Sequence, residues 1–192
     1  MEILRFRSED LLFFTADTHF GHKNIIEYCK RPFRDVEEMN ETLIDNWNRT
    51  VGMNDIVFHL GDFGMGDAAE WNRILERLNG RIYLIAGNHD LRNLSSGGIT
   101  RFEKVSMQLL IQVGKRRIYL NHYPFLCFSG SERDSWQLFG HVHSNSQQST
   151  SDNSRLKYLM ATQYDVGVDN NDYAPISYRR IRDIIIGRRE QL

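Results

Sequence analysis

Asp17 with His19, Asp62, Asn88 with His89, His122, and His141 with His143 are residues of the kinds that bind cations, and each group follows directly on a short apolar run. The runs are LLFFTA before Asp17, DIVFHL before Gly61-Asp62, RIYLIA before Gly87-Asn88-His89-Asp90, RIYL before Asn121-His122 and WQLF before Gly140-His141-Val142-His143. β-Branched and aromatic runs of this length read as buried strands, and open α/β sheets keep their sites at the carboxyl ends of such strands. Five of the 7 histidines fall in these motifs, His22 and His59 being the other two. Taken singly, Asp-x-His, Gly-Asp and Asn-His are ordinary turn chemistry; independent turns would not recruit histidine so selectively. Residues two apart on an extended segment point to one face, so Asp17 with His19, and His141 with His143, each offer two donors to one small region. Carboxylate, imidazole and amide oxygens together suit manganese, iron, nickel or zinc better than calcium. The motifs predict a shared metal centre. His59, inside DIVFHL, reads as a hydrogen-bonded core residue.

The elements that must position these groups alternate through the first half of the chain. Leu11 to Ala16 is a strand, and His22 to Cys29 opens a short helix after Gly21. Apolar residues at Val36, Met39, Leu43, Ile44, Trp47 and Val51 mark an amphipathic helix with Asp35 as its cap. Asp55 to Leu60 is the next strand, Ala68 to Leu78 a helix capped by Asp67 and stopped by Gly80, and Arg81 to Ala86 the third strand. The order β, α, β, α, β favours parallel strands with right-handed crossovers and one shared carboxyl edge. After a loop at Arg92 to Gly98, strand candidates crowd together at Val105 to Val113, Arg117 to Asn121, Trp136 to Gly140 and Gln163 to Val168, which predicts a mixed or antiparallel sheet. Ser144 to Arg155 is polar and reads as a surface loop. Ser177 caps a final helix from Tyr178 to Arg188 with Ile181, Ile184 and Ile185 in one stripe.

Composition narrows the classes. A chain of 192 residues, 41% hydrophobic, has the length for one domain with a substantial core. A formal net charge of -1 gives no general pull toward nucleic acid or anionic membrane. Cys29 and Cys127 have no paired spacing, which disfavours a disulfide framework, and no apolar run reaches membrane-spanning length. The segment after Met1 is charged where a signal peptide would be apolar. The reading is a soluble protein of a reducing, cytoplasmic compartment. Composition leaves the oligomeric state open.

In their order and spacing, Asp17-x-His19, Gly61-Asp62, Gly87-Asn88-His89-Asp90, Asn121-His122 and Gly140-His141-x-His143 resemble the calcineurin-like metallophosphoesterase superfamily. DTHFGHKNII, KRPF, the NWN at Asn46 to Asn48 and VGVDNNDYAPIS resemble a subgroup of small, single-domain bacterial and phage members, extending the likeness over nearly the whole chain. Two positions depart from the pattern. Met65 stands where the family often has an arginine three residues after the Gly-Asp aspartate, and Asn121 replaces the usual glycine before His122.

The resemblance implies an α/β fold of two packed, mainly mixed β-sheets flanked by helices, with residues 1–192 as one domain. It implies a first metal held by Asp17, His19, Asp62 and His143, and a second held by Asp62, Asn88, His122 and His141, with the Asp62 carboxylate bridging them. Two divalent cations offset by two carboxylates and a bridging hydroxide leave about one positive charge for an anionic phosphate. Asn88 belongs in that count because it binds without adding charge. The hydroxide would be the nucleophile and His89 the general acid for the leaving oxygen, with Asp90 either orienting His89 or serving as a helix cap or turn residue. His22 and Asn24, near a helix start, either contact substrate phosphate or shape the turn. The expected function is hydrolysis of phosphoesters, diesters ahead of monoesters by analogy with the family. A module that keeps the fold without turnover is the rival from another class. Arg179, Arg180, Arg182, Arg188 and Arg189 make the last helix basic, which suits a solvated face or, less simply, nucleic acid.

Overall fold

The computed structural model describes residues 3–7, 11–144 and 153–190. The described residues form two mixed five-stranded sheets flanked by helices, an α/β arrangement. In the first sheet, β2 (Leu12–Thr15), β3 (Ile56–His59), β4 (Arg81–Ile85) and β5 (Phe102–Ser106) run parallel in that order, and β10 (Ile176–Ser177) pairs antiparallel with β2. The second sheet has the order β1 (Ile3–Phe6), β6 (Gln108–Val113), β7 (Arg116–Asn121), β8 (Trp136–Phe139), β9 (Gln163–Asp165), with only β6 and β7 antiparallel.

The unbroken apolar runs of β2, β3 and β4 exist because both faces of that sheet are covered. Side chains alternate across a strand. Phe14, Phe58 and Ile85 therefore face inward to a core shared with Ile111, Ile118, Leu120, Trp136 and Leu138 of the second sheet. Phe13, Val57, Ile82 and Leu84 face outward to the helices α1 (Lys23–Tyr28), α2 (Val36–Thr50) and α3 (Ala68–Leu75), where Met39, Leu43, Trp47 and Trp71 are buried. Asp35 caps α2 by accepting from Glu38 N–H, and Asp67 with Glu70 closes a full capping box on α3. The second sheet is apolar on its inner face, whereas the next residues along β8 and β9, Gln137 and Gln163, stand side by side in register. α5 (Tyr178–Glu190) returns Tyr178, Ile181 and Ile185 to the inter-sheet core, its start met by the Ser177 hydroxyl accepting from Arg180 N–H at 3.2 Å.

Several sequence expectations need correction. Arg92 to Gly98 is largely helical: α4 (Leu91–Ser96) forms because the Asp90 carbonyl accepts from Leu94 N–H and the Ser95 and Ser96 hydroxyls donate back to the Arg92 and Asn93 carbonyls. Turn-forming residues thus build one and a half helical turns before Gly97 ends them at φ 73°. Val105 to Val113 is two strands, β5 and β6, parted at Met107 and sent to different sheets. α3 stops at Leu75, and the strand expected over Gln163 to Val168 ends at Asp165 and gives way to a 3-10 turn at Val168–Asn170. The surface loop expected at Ser144 to Arg155 lies mostly outside the described residues, and its far end enters a 3-10 helix, Asn153–Tyr158. Among the described residues, no helix is long and apolar enough to cross a membrane.

Candidate metal centre

The candidate ligands stand on loops after β2, β3, β4, β7 and β8, at the carboxyl ends of strands from both sheets. Backbone hydrogen bonds hold these loops together. Asp17 N–H donates to the Gly61 carbonyl (2.9 Å), His19 N–H to Asp62 (3.0 Å) and Gly140 N–H to His122 (2.9 Å). Asp17, His19, Asp62, His141 and His143 all have left-handed backbones, with φ between 45° and 72°. Such conformations cost non-glycine residues on the order of 1 kcal/mol each and persist where the surroundings impose them. They also revise the expected geometry: neither Asp17-x-His19 nor His141-x-His143 is an extended pair on one face.

The turns set two clusters of donor atoms side by side. Asp17, His19 and His143 form one and Asp62, His122 and His141 the other, each with its ligand atoms within 4.8 Å of one another. His141 and His143 therefore serve different clusters. Asp62 lies between them: its Oδ2 is 3.6 Å from His19 Nε2 and 3.5 Å from His122 Nε2. Asn88 Oδ1 approaches His122 Nε2 at 3.2 Å and accepts from the Tyr123 hydroxyl at 3.2 Å. All seven residues that the resemblance names as ligands are thus on loops that meet here. Gly61 and Gly87 permit the approach, since a Cβ on Gly61 would sit 2.5 Å from His122 Nδ1 and one on Gly87 would collide with the Asp62 carboxylate.

The donor set fits divalent cations on three observations. His19 Nε2 is buried with no hydrogen-bond partner, beside the Asp62 carboxylate. His122 Nδ1 donates to the Leu60 carbonyl at 2.7 Å, which fixes the ring with Nε2 turned toward Asp62 and Asn88, the nitrogen that a cation would take in place of its proton. His143 Nδ1 is likewise engaged, 2.6 Å from Asp169 Oδ2. The electrostatics agree. Burial pushes the Asp17 carboxyl up to about 7, against the pull of His143 and His122. Burial works the same way on Asp62, yet the His122 hydrogen bond and charge hold it well below the usual carboxylate range. Burial opposes protonation of His122 and His143, but neighbouring carboxylates, chiefly Asp62 for the first and Asp17 for the second, raise them to about 9 and about 11. At Asp62, His122 and His143 the opposite charges outweigh desolvation, whereas at Asp17 burial prevails.

The surroundings contain functional candidates that the motifs did not single out. Arg31, fully enclosed, grips Asp169 with two hydrogen bonds of 2.8 Å and donates to the carbonyls of Asp17 (2.7 Å) and Thr18 (3.0 Å). Asp169 in turn orients His143. Cys29, His143 and Asp169 also lie close enough to one another for a third cluster, but the Asp169 carboxylate is already taken by Arg31. The signal was present in KRPF and VGVD, stretches with no metal-ligand spacing. Of the two roles expected for Asp90, orienting His89 or serving as a helix cap or turn residue, the structure favours the second: it stands at the N-cap position of α4. Its carboxylate accepts from the backbone N–H groups of Asp62, Phe63 and Gly87 at 2.8–2.9 Å, fixing two ligand loops against each other.

His89 stands at the rim, its side chain 40% exposed and its Nε2 4.0 Å from Asp62 Oδ2, while its backbone N–H donates to Asp62 Oδ1 at 3.0 Å. His22 reaches the same place, with Nδ1 3.2 Å from His19 Nδ1 and its ring 5.9 Å from that of His89. Asn24 is exposed in the first turn of α1. His59 is buried away from both clusters, its Nε2 2.9 Å from the Thr18 hydroxyl. Met65 is partly exposed, and its carbonyl accepts from the Trp71 indole N–H.

A family profile described as calcineurin-like phosphoesterase matches residues 11–169. The chain is 40% identical over 136 residues to an uncharacterised protein of Methanocaldococcus jannaschii, covering 70% of each. It is 30% identical over 182 residues to the gene 66 protein of Mycobacterium phage L5, covering 81% of this chain and 85% of the phage protein. Among solved structures, a protein of unknown function from Aquifex aeolicus superposes with a TM-score of 0.67 at 27% identity, over 92% of this chain and all of the other.

Proposed function

The chain belongs to the calcineurin-like phosphoesterase family, which supports metal-dependent phosphoester hydrolysis, and we propose that it works through two divalent cations and prefers phosphodiesters. The observation that carries this reading is the position of Asp62: one carboxylate oxygen lies 3.6 Å and 3.5 Å from the imidazole nitrogens of two separate donor clusters. In the proposal Asp17, His19 and His143 hold one cation, Asn88, His122 and His141 the other, and Asp62 both. Manganese, iron, nickel or zinc would activate water as the nucleophile and neutralise phosphoryl charge when bound. The remaining steps belong to the chain. Asn88 binds without adding charge, keeping the site attractive to phosphate. His22 contacts a phosphoryl oxygen, and His89, exposed at the rim, gives a proton to the leaving oxygen. Asn24 is left out, because α1 has only 6 residues and the side chain is exposed. That Asp17 and His143 come from different sheets yet share a cluster supports treating residues 1–192 as one domain.

Protein freed of metal and then supplied with manganese is expected to hydrolyse bis(p-nitrophenyl) phosphate faster than p-nitrophenyl phosphate, with neither turned over when metal is withheld. The reverse preference would make it a phosphomonoesterase. Turnover of neither would favour the non-catalytic module. His89→Ala is expected to lose about 10²–10⁴ in rate on esters with an alkoxide leaving group, and much less with p-nitrophenolate, which departs without a proton. Equal losses on both would remove the acid role from His89.

A further inference from the structure

Beside the centre, on the outer face of the second sheet, runs a cleft of about 600 Å³ lined by Tyr123, Leu126, His141, Arg155, Leu156 and Tyr158, among others. That volume lies within the roughly 300–1,000 Å³ typical of small-molecule sites. Two features distinguish it from an incidental groove. The first is continuity with the metal centre: His141 lines both, the Tyr123 ring is 4.6 Å from the His141 ring, and the Tyr123 hydroxyl donates to Asn88.

The second is the way the walls are held. Gln137 and Gln163 are buried, with relative exposures of 0% and 2%, and lie 2.6 Å apart by a side-chain hydrogen bond. Gln137 accepts from Phe125 N–H and donates to the Tyr123 carbonyl, and Gln163 donates to the Phe125 carbonyl, so one wall is fixed from beneath. Gln163 also accepts from Met160 N–H at 2.8 Å, anchoring the chain just after the opposite wall, Arg155 to Leu159. Buried amides satisfied this fully make a rigid frame. On that frame large apolar groups face solvent, with Leu126 80% and Tyr158 64% exposed. Leu126, Leu156 and Tyr158 thus give the cleft apolar walls beside the polar centre.

We propose that this cleft receives a flat, apolar ring of the substrate, an aryl group esterified to the phosphate that the centre holds or the base of a nucleoside esterified there through its sugar. The two tyrosines supply faces for ring stacking, Leu126 and Leu156 the apolar edges, and Arg155 positive charge. The inference rests on the phosphoester reading for the phosphate and on the cleft alone for the ring.

Equilibrium binding to manganese-loaded protein separates the two. Phenylphosphonate is expected to bind at least about tenfold more tightly than methylphosphonate, and more tightly than n-hexylphosphonate, which has as many carbons and no ring. Leu126→Ser and Tyr158→Ser, both at exposed positions, are expected to bring the phenyl-to-methyl ratio within about twofold. Equal affinities for phenyl and methyl, or a ratio unmoved in both variants, would overturn the cleft assignment. Hexyl binding as tight as phenyl would overturn its preference for a ring. None of these readouts needs turnover, so a protein that binds phenylphosphonate selectively and hydrolyses nothing would retain the cleft and lose the hydrolase reading.

Discussion

His59 shares the strand-end apolar run that leads to Asp62, yet it lies in the hydrophobic cluster beside Trp47 and Phe63, where its one hydrogen bond among the described residues is to the Thr18 hydroxyl, which itself donates to the Phe63 carbonyl. Its Nδ1 has no partner. Burial pushes the imidazole down to about 3 from an ordinary 6.5. Because the folded value is the depressed one, the unfolded chain takes up this proton first as pH falls. The associated stability is full above about pH 6.5 and is lost progressively toward pH 3, amounting to about 2 kcal/mol by pH 5. Urea unfolding at pH 7.5 and pH 5 should show this loss, and His59→Gln, whose amide can still donate to Thr18, should remove it. An unchanged difference between the two pH values in that variant would assign the loss to other groups. Asn88, His122 and Tyr123 show the opposite arrangement, with polar atoms turned toward one another at the centre and not into the core.

At the scale of elements, the turn after α1 is tied to the 3-10 turn Val168–Asn170 by Arg31 and Asp169, and through them to the loop carrying Asp17 and His19. Removing one partner of a buried pair leaves the other charge uncompensated. Arg31→Met is therefore expected to cost about 3–5 kcal/mol in thermal or urea unfolding and about 10–100-fold in manganese affinity by calorimetric titration, since the Asp169 carboxylate that orients His143 loses the guanidinium that holds it. Unaltered metal affinity would leave the pair a purely structural one. This link also shows what the sequence could not reveal. Strand ends rich in histidine were legible because the chemistry of a metal demands rare residue types at fixed places, and α2 and α3 were legible because their caps and 3.6-residue stripes are local. Arg31 and Asp169 are 138 positions apart, and their pairing exists only once the sheets have stacked. The division of Phe102 to Val113 between two sheets was hidden for the same reason. Both parts are strand-like, and partner choice is a tertiary decision. α4 was hidden by serines and glycines whose side-chain bonds support a short helix as readily as a turn.

In the whole molecule the two sheets meet twice, in the apolar core and at the ligand loops. A cation bound at the loops joins elements from both sheets and is absent from the unfolded chain, so it must stabilise the fold by mass action. Manganese at 100 times its dissociation constant should add about 2.7 kcal/mol. Thermal melting across a manganese titration measures this, and Asp62→Ala, which removes the residue between the clusters, is expected to abolish the rise. A rise that survives the substitution would place the stabilising metal elsewhere. The distance between His143 and its orienting Asp169 has a further consequence, for the order in which the protein is made. Every candidate ligand has been synthesised when the ribosome passes residue 143, but Asp169 follows 26 residues later, and β10, which pairs with β2, later still. The nascent chain thus carries all seven candidate donors before the segments that brace them have been made. A chain stopped after residue 160 should contain all seven candidate donors and fail to retain manganese through gel filtration, whereas the 192-residue chain retains it. Retention by the shortened chain would show that the donors assemble without the closing segment.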